Sequence, residues 1–161
     1  MRGSEKFNGK LQFREPAYTR TRITEITRVA EGIVGVSNFI VDRFHHLGIY
    51  LELKVENPEN IVISHAESKL LRVPYEVCYQ PSLRIGQLVG LPVKKGLYRR
   101  VKEIIGGPQG CVHLVDLTVD GVRLAMQAVA VIWMQDLPEE EAARMRNRLL
   151  GGVCIAYPKG Q

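Results

Sequence analysis

Ile49-Tyr50-Leu51-Glu52-Leu53-Lys54-Val55-Glu56 alternates apolar and polar residues without a fault; Asn57-Pro58-Glu59-Asn60 follows, then the run Ile61 to Leu71. Alternation with a period of two puts every second side chain on one face, the signature of a half-buried strand. Pro presets φ and Asn tolerates left-handed geometry, so Asn57 to Asn60 reads as a turn and Ile61 to Leu71 as the returning partner strand. Towards the N-terminus, Tyr18 to Arg28 alternates Thr, Ile and charge, and Ile33 to Val41 is rich in β-branched residues. An antiparallel meander of about four strands is the expected N-terminal half.

After Pro74 the period changes. Leu83 to Val89 predicts a short helix with Pro81 in its first turn. Val93, Leu97, Val101 and Ile104/Ile105 recur at three-to-four spacing, which predicts an amphipathic helix starting near Pro92. Gly106-Gly107-Pro108-Gln109-Gly110 interrupts the chain, and Leu114, Leu117, Gly121, Ala125, Ala128 and Ile132 form one stripe of a long helix to about Met134. Asp136-Leu137-Pro138-Glu139 reads as a capping box with Pro inside it. The last helix then runs to Leu150, with Glu140 and Arg144 paired, and Gly151-Gly152 ends it before a short tail. Strands first and helices afterwards is an α+β fold, with about four helices packed on one face of the sheet.

Length and composition fit one domain. The chain has 161 residues, 45% hydrophobic and 24% charged, which argues against disorder and fibrous repeats. A domain of this size buries roughly 70% of its unfolded surface, enough for a core without staples. Residues 1–16, mixed in charge with few apolar positions, read as a loosely held arm, and 17–161 as the single α+β domain. No apolar run spans a bilayer and no apolar signal region opens the chain, so the expected location is cytoplasmic, away from membranes. Net charge is +5. The excess lies in residues 1–28 and in Lys94, Lys95, Arg99, Arg100 and Lys102, the latter read as a solvated helix face. With one Trp and no aromatic interleaving, nucleic acid is not an expected partner.

Three cysteines, Cys78, Cys111 and Cys154, do not make a disulfide framework. Gly110-Cys111-Val112-His113-Leu114 opens the long helix. Two positions apart on a helix is about 200°, but a Cys at the cap can still converge with His113. Free N–H groups and the dipole at that end favour a thiolate. Cys78, Cys111, Cys154 and His113 together form a Cys3His set suited to zinc or an iron–sulfur cluster. The competing reading of Cys78 and Cys154 is as small core residues. His65, in phase with Ile61 and Ile63, reads as a core or sheet-edge histidine; His45-His46 reads as an exposed turn; Asp116 and Asp120 read as surface groups. No P-loop, dinucleotide-binding Gly-x-Gly-x-x-Gly or Gly-x-Ser-x-Gly elbow is present.

Val73-Pro74-Tyr75-Glu76-Val77-Cys78, Leu88-Val89-Gly90-Leu91, the segment from Gly106 to Leu117 and Gly151-Gly152-Val153-Cys154-Ile155-Ala156-Tyr157 resemble an uncharacterised bacterial family, the domain of unknown function 2889. The resemblance covers roughly residues 17–157 and implies no mechanism. A more distant likeness is to iron–sulfur scaffold proteins of the IscU/NifU type, where a sheet precedes helices and cysteines open them; it implies a SufE/NifU-like arrangement. Cys78 and Cys111 match two of the scaffold's cysteines. The scaffold's earliest cysteine has no counterpart, because Asn57-Pro58-Glu59-Asn60 carries no thiol. His113 follows Cys111 instead of preceding it, and Cys154 is extra.

The expected function is therefore a metal- or iron–sulfur-cluster-binding accessory or scaffold protein with a protein partner or a second copy of itself. A thiol-dependent enzyme or sulfur carrier acting through Cys111, with His113 or His65 as base, is the alternative. A metal-free binding module for an acidic partner is the third reading.

Overall fold

A computed structural model describes residues 17–57, 59–135, 137–152, 155 and 158. Four strands come first: β1 (Arg20–Ala30), β2 (Ile33–Asp42), β3 (His46–Asn57) and β4 (Asn60–Arg72). They form one antiparallel sheet in the order β1-β2-β3-β4. A 3-10 helix (Glu76–Leu88) and the helices α1 (Leu97–Ile105), α2 (Val112–Met134) and α3 (Glu139–Leu150) follow. The α+β expectation holds.

Alternation decides which sheet face is covered. Val34, Val36 and Ile40 of β2, Leu47, Ile49, Leu51, Leu53 and Val55 of β3, and Ile61, Ile63 and Ala66 of β4 are buried. α2 lies across β1, β2 and β3 on that side, and the 3-10 helix packs on β4 and α1. Leu114, Leu117, Ala125 and Val129 are the buried stripe of α2. The approach is close because Gly121 has no side chain: a Cβ there would lie 2.9 Å from Val36 Cγ1. Beside that contact the buried Asn38 donates from Nδ2 to the Leu117 carbonyl at 2.7 Å and accepts from Thr24 Oγ1 at 3.0 Å. A polar residue in this core is thus satisfied on both sides.

The turn between β3 and β4 forms as expected, with Asn57 Oδ1 accepting the N–H groups of Glu59 and Asn60 at 2.9 and 3.0 Å. Two expectations change, and a third is decided between its alternatives. The short helix at Leu83 to Val89 is a 3-10 helix beginning earlier, at Glu76, with Pro81 inside it. Proline removes the N–H that an α-helix would use and clashes with the preceding turn, which favours tighter winding. The helix placed near Pro92 begins only at Leu97, after Gly96 at φ 95. The reason is the edge of β4: Ile63 N–H donates to the Leu91 carbonyl at 3.0 Å and Val93 N–H to the Ile61 carbonyl at 2.8 Å, so residues 91–93 stay extended to satisfy that edge. His65 lies exposed on the edge strand β4, so of its two expected placements the sheet edge holds and the core does not. The register shifts between Glu52 and Leu53, so Leu53 pairs with Ile63 while Glu52 pairs with His65. Such a bulge moves every later side chain to the opposite face.

Asp136 of the expected capping box, Cys154 of the tail and the arm 1–16 lie outside the described residues. α3 has Pro138 at its N-cap with no side-chain cap bond, three glutamates in its first turn, and the expected Glu140–Arg144 pair at 3.5 Å.

Candidate functional site

The loop between α1 and α2 sets the geometry. Gly106 N–H closes α1 on the Lys102 carbonyl at 3.0 Å, Gly110 N–H bonds the Gly107 carbonyl at 3.0 Å, and Cys111 N–H returns to the Ile105 carbonyl at 2.8 Å. Gly110 can be nothing larger, because a Cβ would fall 2.2 Å from the Gly106 carbonyl carbon and oxygen. The glycines therefore fold the chain back on the last turn of α1 and deliver Cys111 as the N-cap of α2.

Cys111 and Cys78 line one cavity of about 610 Å³, with Val77, Gln80, Pro81 and Arg84 on one side and Pro108, Gln109 and Gly110 on the other. Arg84 Nη2 donates to the Gln109 carbonyl at 2.5 Å, which ties the 3-10 helix to the glycine loop across this cavity. Both thiols are half-buried and free. Burial pushes the Cys111 thiol up, and Cys78 and Asp116 push the same way; the N–H groups of Leu114 and His113 offset only part of this. The thiol is accordingly protonated at neutral pH.

His113 is not among the residues lining that cavity. Its ring stands edge-on to His45, centroids 4.3 Å apart, and its Nε2 lies 3.2 Å from Arg20 Nη2. Guanidinium only donates, so Nε2 is the acceptor and its lone pair is already engaged. Burial, then His45 and Arg20, hold the His113 pKa below the ordinary 6.5, against the opposing pull of Asp42 and Asp116.

Behind the imidazoles is Asp42, whose side chain is fully buried. It accepts Arg20 Nε at 2.8 Å and the N–H groups of Phe44 and His45 at 2.7 and 2.8 Å, with His45 Nδ1 at 3.1 Å. Burial works to raise its pKa, but hydrogen bonds from Tyr18, Phe44, Arg20 and His45 prevail and hold the carboxyl far below the usual range. An ionised carboxylate makes Nδ1 of His45 the donor and leaves Nε2 as its basic end. His45 is thus not the exposed turn residue expected: its side chain is 14% exposed. His46 belongs to β3. Asp120 pairs with Arg22.

The four residues expected to gather therefore divide. Cys78 and Cys111 come together, His113 joins the Arg20–Asp42–His45 group, and Cys154 lies outside the described residues. Among the described residues no three His, Cys, Asp or Glu side chains form a group able to hold a metal ion. The sequence reading passed over Asp42 and Arg84 and took His45 for an exposed turn residue. Asp42-Arg43-Phe44-His45 did carry a signal, since Asp commonly caps the N–H two residues on.

The family described as protein of unknown function (DUF2889) matches residues 23–127. The chain belongs to this family. The DUF2889 match includes Asp42, His45, Cys78, Cys111 and His113 but not Tyr18, Arg20 or Cys154. No curated protein and no solved structure matches the chain. The likeness to IscU/NifU-type scaffolds gains no support from these comparisons. No helix of the described residues is long and apolar enough to cross a membrane.

Proposed function

We propose that this DUF2889 protein is a metal-binding accessory protein whose Cys78 and Cys111 thiols hold zinc or an iron–sulfur cluster. The observation that carries the reading is the shared cavity: two thiols distant in the chain line one space at the mouth of α2. Soft thiolates suit these groups, which would supply a Lewis-acid or electron-carrying centre. Two protein thiols leave ligand positions open, and an open site suits acceptance and release better than a closed structural one. Cys154 is the third thiol this reading calls on. His113 is not, because its Nε2 faces the Arg20 cation.

Burial of the Cys111 thiol, which pushes its pKa up, favours this reading over a nucleophilic enzyme or sulfur carrier. A nucleophilic thiol needs a lowered pKa or a neighbouring base, and His113 does not line the Cys111 cavity, whereas a bound metal displaces the thiol proton itself. Metal and acid-labile sulfide content of anaerobically purified protein, with its absorption spectrum, tests the proposal. Near-stoichiometric zinc or iron, lost in Cys78→Ser and Cys111→Ser and kept in His113→Ala, is expected. Less than about a tenth of an equivalent per chain, or content unmoved by either Ser variant, overturns it.

A further inference from the structure

Tyr18 and Phe44 are far apart in sequence, yet their rings lie nearly parallel, 17° between planes with centroids 6.4 Å apart. Both are 48% exposed. Each carries an arginine: Arg20 Cζ is 5.7 Å from the Tyr18 centroid and Arg43 Cζ is 5.7 Å from that of Phe44. Exposed rings flanked by guanidinium groups are the elements of a stacking platform.

The charge around the platform favours an anionic partner. Asp42 is buried and matched by Arg20, while Asp120 is matched by Arg22. Asp116 remains as an acid near His113. Among the described residues Arg43 has no carboxylate partner. The two imidazoles close the same end of the sheet, and Arg72 reaches it through the Asp42 carbonyl at 2.6 Å.

We infer that Tyr18, Phe44 and Arg43 form a binding surface for single-stranded nucleic acid, the rings stacking on bases and the arginine meeting phosphate. The aromatic interleaving missing from the linear sequence is produced by the fold, which pairs the start of β1 with the β2–β3 turn. A single strand, not a duplex, is the fitting partner because stacking needs unpaired bases. The inference stands apart from the thiol cavity and does not depend on it.

The test uses the full chain and a fluorescein-labelled oligouridylate of about 12 nucleotides, followed by anisotropy. Binding is expected to weaken about tenfold or more between roughly 50 and 200 mM salt. Tyr18→Ala and Phe44→Ala are each expected to weaken it about tenfold. Arg43→Gln is expected to lower the salt slope by about one. Because the Phe44 and Arg43 side chains lie at the surface outside the Asp42 hydrogen bonds, unchanged circular dichroism should accompany their loss, and Tyr18→Phe, which keeps the ring but removes the hydroxyl that bonds Asp42, is expected to bind like wild type. No rise in anisotropy up to about 100 μM protein at low salt overturns the inference. So do wild-type affinity in both ring variants, tighter binding of the matching duplex, or equal competition by inorganic polyphosphate, which has charge but no bases.

Discussion

Asp42 is the residue on which one end of the sheet depends. Its carboxylate, with no exposed side-chain surface, organises Arg20, the β2–β3 turn and His45 at once. Replacing it with Asn keeps the shape but leaves the Arg20 guanidinium without its counter-charge. Asp42→Asn is expected to cost about 3 kcal/mol near neutral pH in urea unfolding. The pH dependence has a definite sign. The folded carboxyl titrates below its ordinary 3.8, so the unfolded chain takes up the proton first as pH falls. The contribution is complete above about pH 5 and is lost progressively as pH drops through 3.8 towards the folded value. Stability measured at pH 7, 4 and 3 should therefore fall more steeply in wild type than in Asp42→Asn. Parallel curves would contradict this assignment.

At the scale of elements, two glycines fix where α2 lies and where it starts. A Cβ added at Gly121 would lie 2.9 Å from Cγ1 of the buried Val36. Gly121→Ala should still destabilise by about 1 kcal/mol, because the overlap with the stiff, fully buried Val36 exceeds the helix-propensity gain. Gly121→Val should lose about 2 kcal/mol, read as a lower urea midpoint at unchanged slope. Gly110→Ala meets backbone instead, at 2.2 Å, and is expected to destabilise by more than Gly121→Ala. These elements were also where sequence reading succeeded and failed most clearly. The faultless alternation of β3 and the stripe on α2 are repeated local signals, and both were legible. The extended segment 91–93 was not, since its conformation answers to the unsatisfied edge of β4 and not to its own residues. The same holds for His65, whose face was decided by a register shift that no periodicity announces.

At the scale of the whole molecule, protection should follow the layering. β2 and β3 are paired on both sides and carry most of the buried strand residues, whereas β1 is an edge strand whose residues are almost all exposed. Amide hydrogen exchange followed by mass spectrometry should be slowest in Ile33–Asp42 and His46–Asn57 and faster in Arg20–Ala30. A β1 as slow as β2 would mean that a partner covers that edge. The candidate chemistry was half legible at this scale. Cysteine and histidine at the mouth of a helix stood out by residue type, but their separation into two groups depends on which neighbours the tertiary fold supplies. That division has a use. Cys111 and His113 share one turn of α2 yet answer to different surroundings, thiols on one side and imidazole and guanidinium on the other. Isotope labels at these two positions would act as independent spectators, and a ligand arriving at either side would declare its address by which resonance moved.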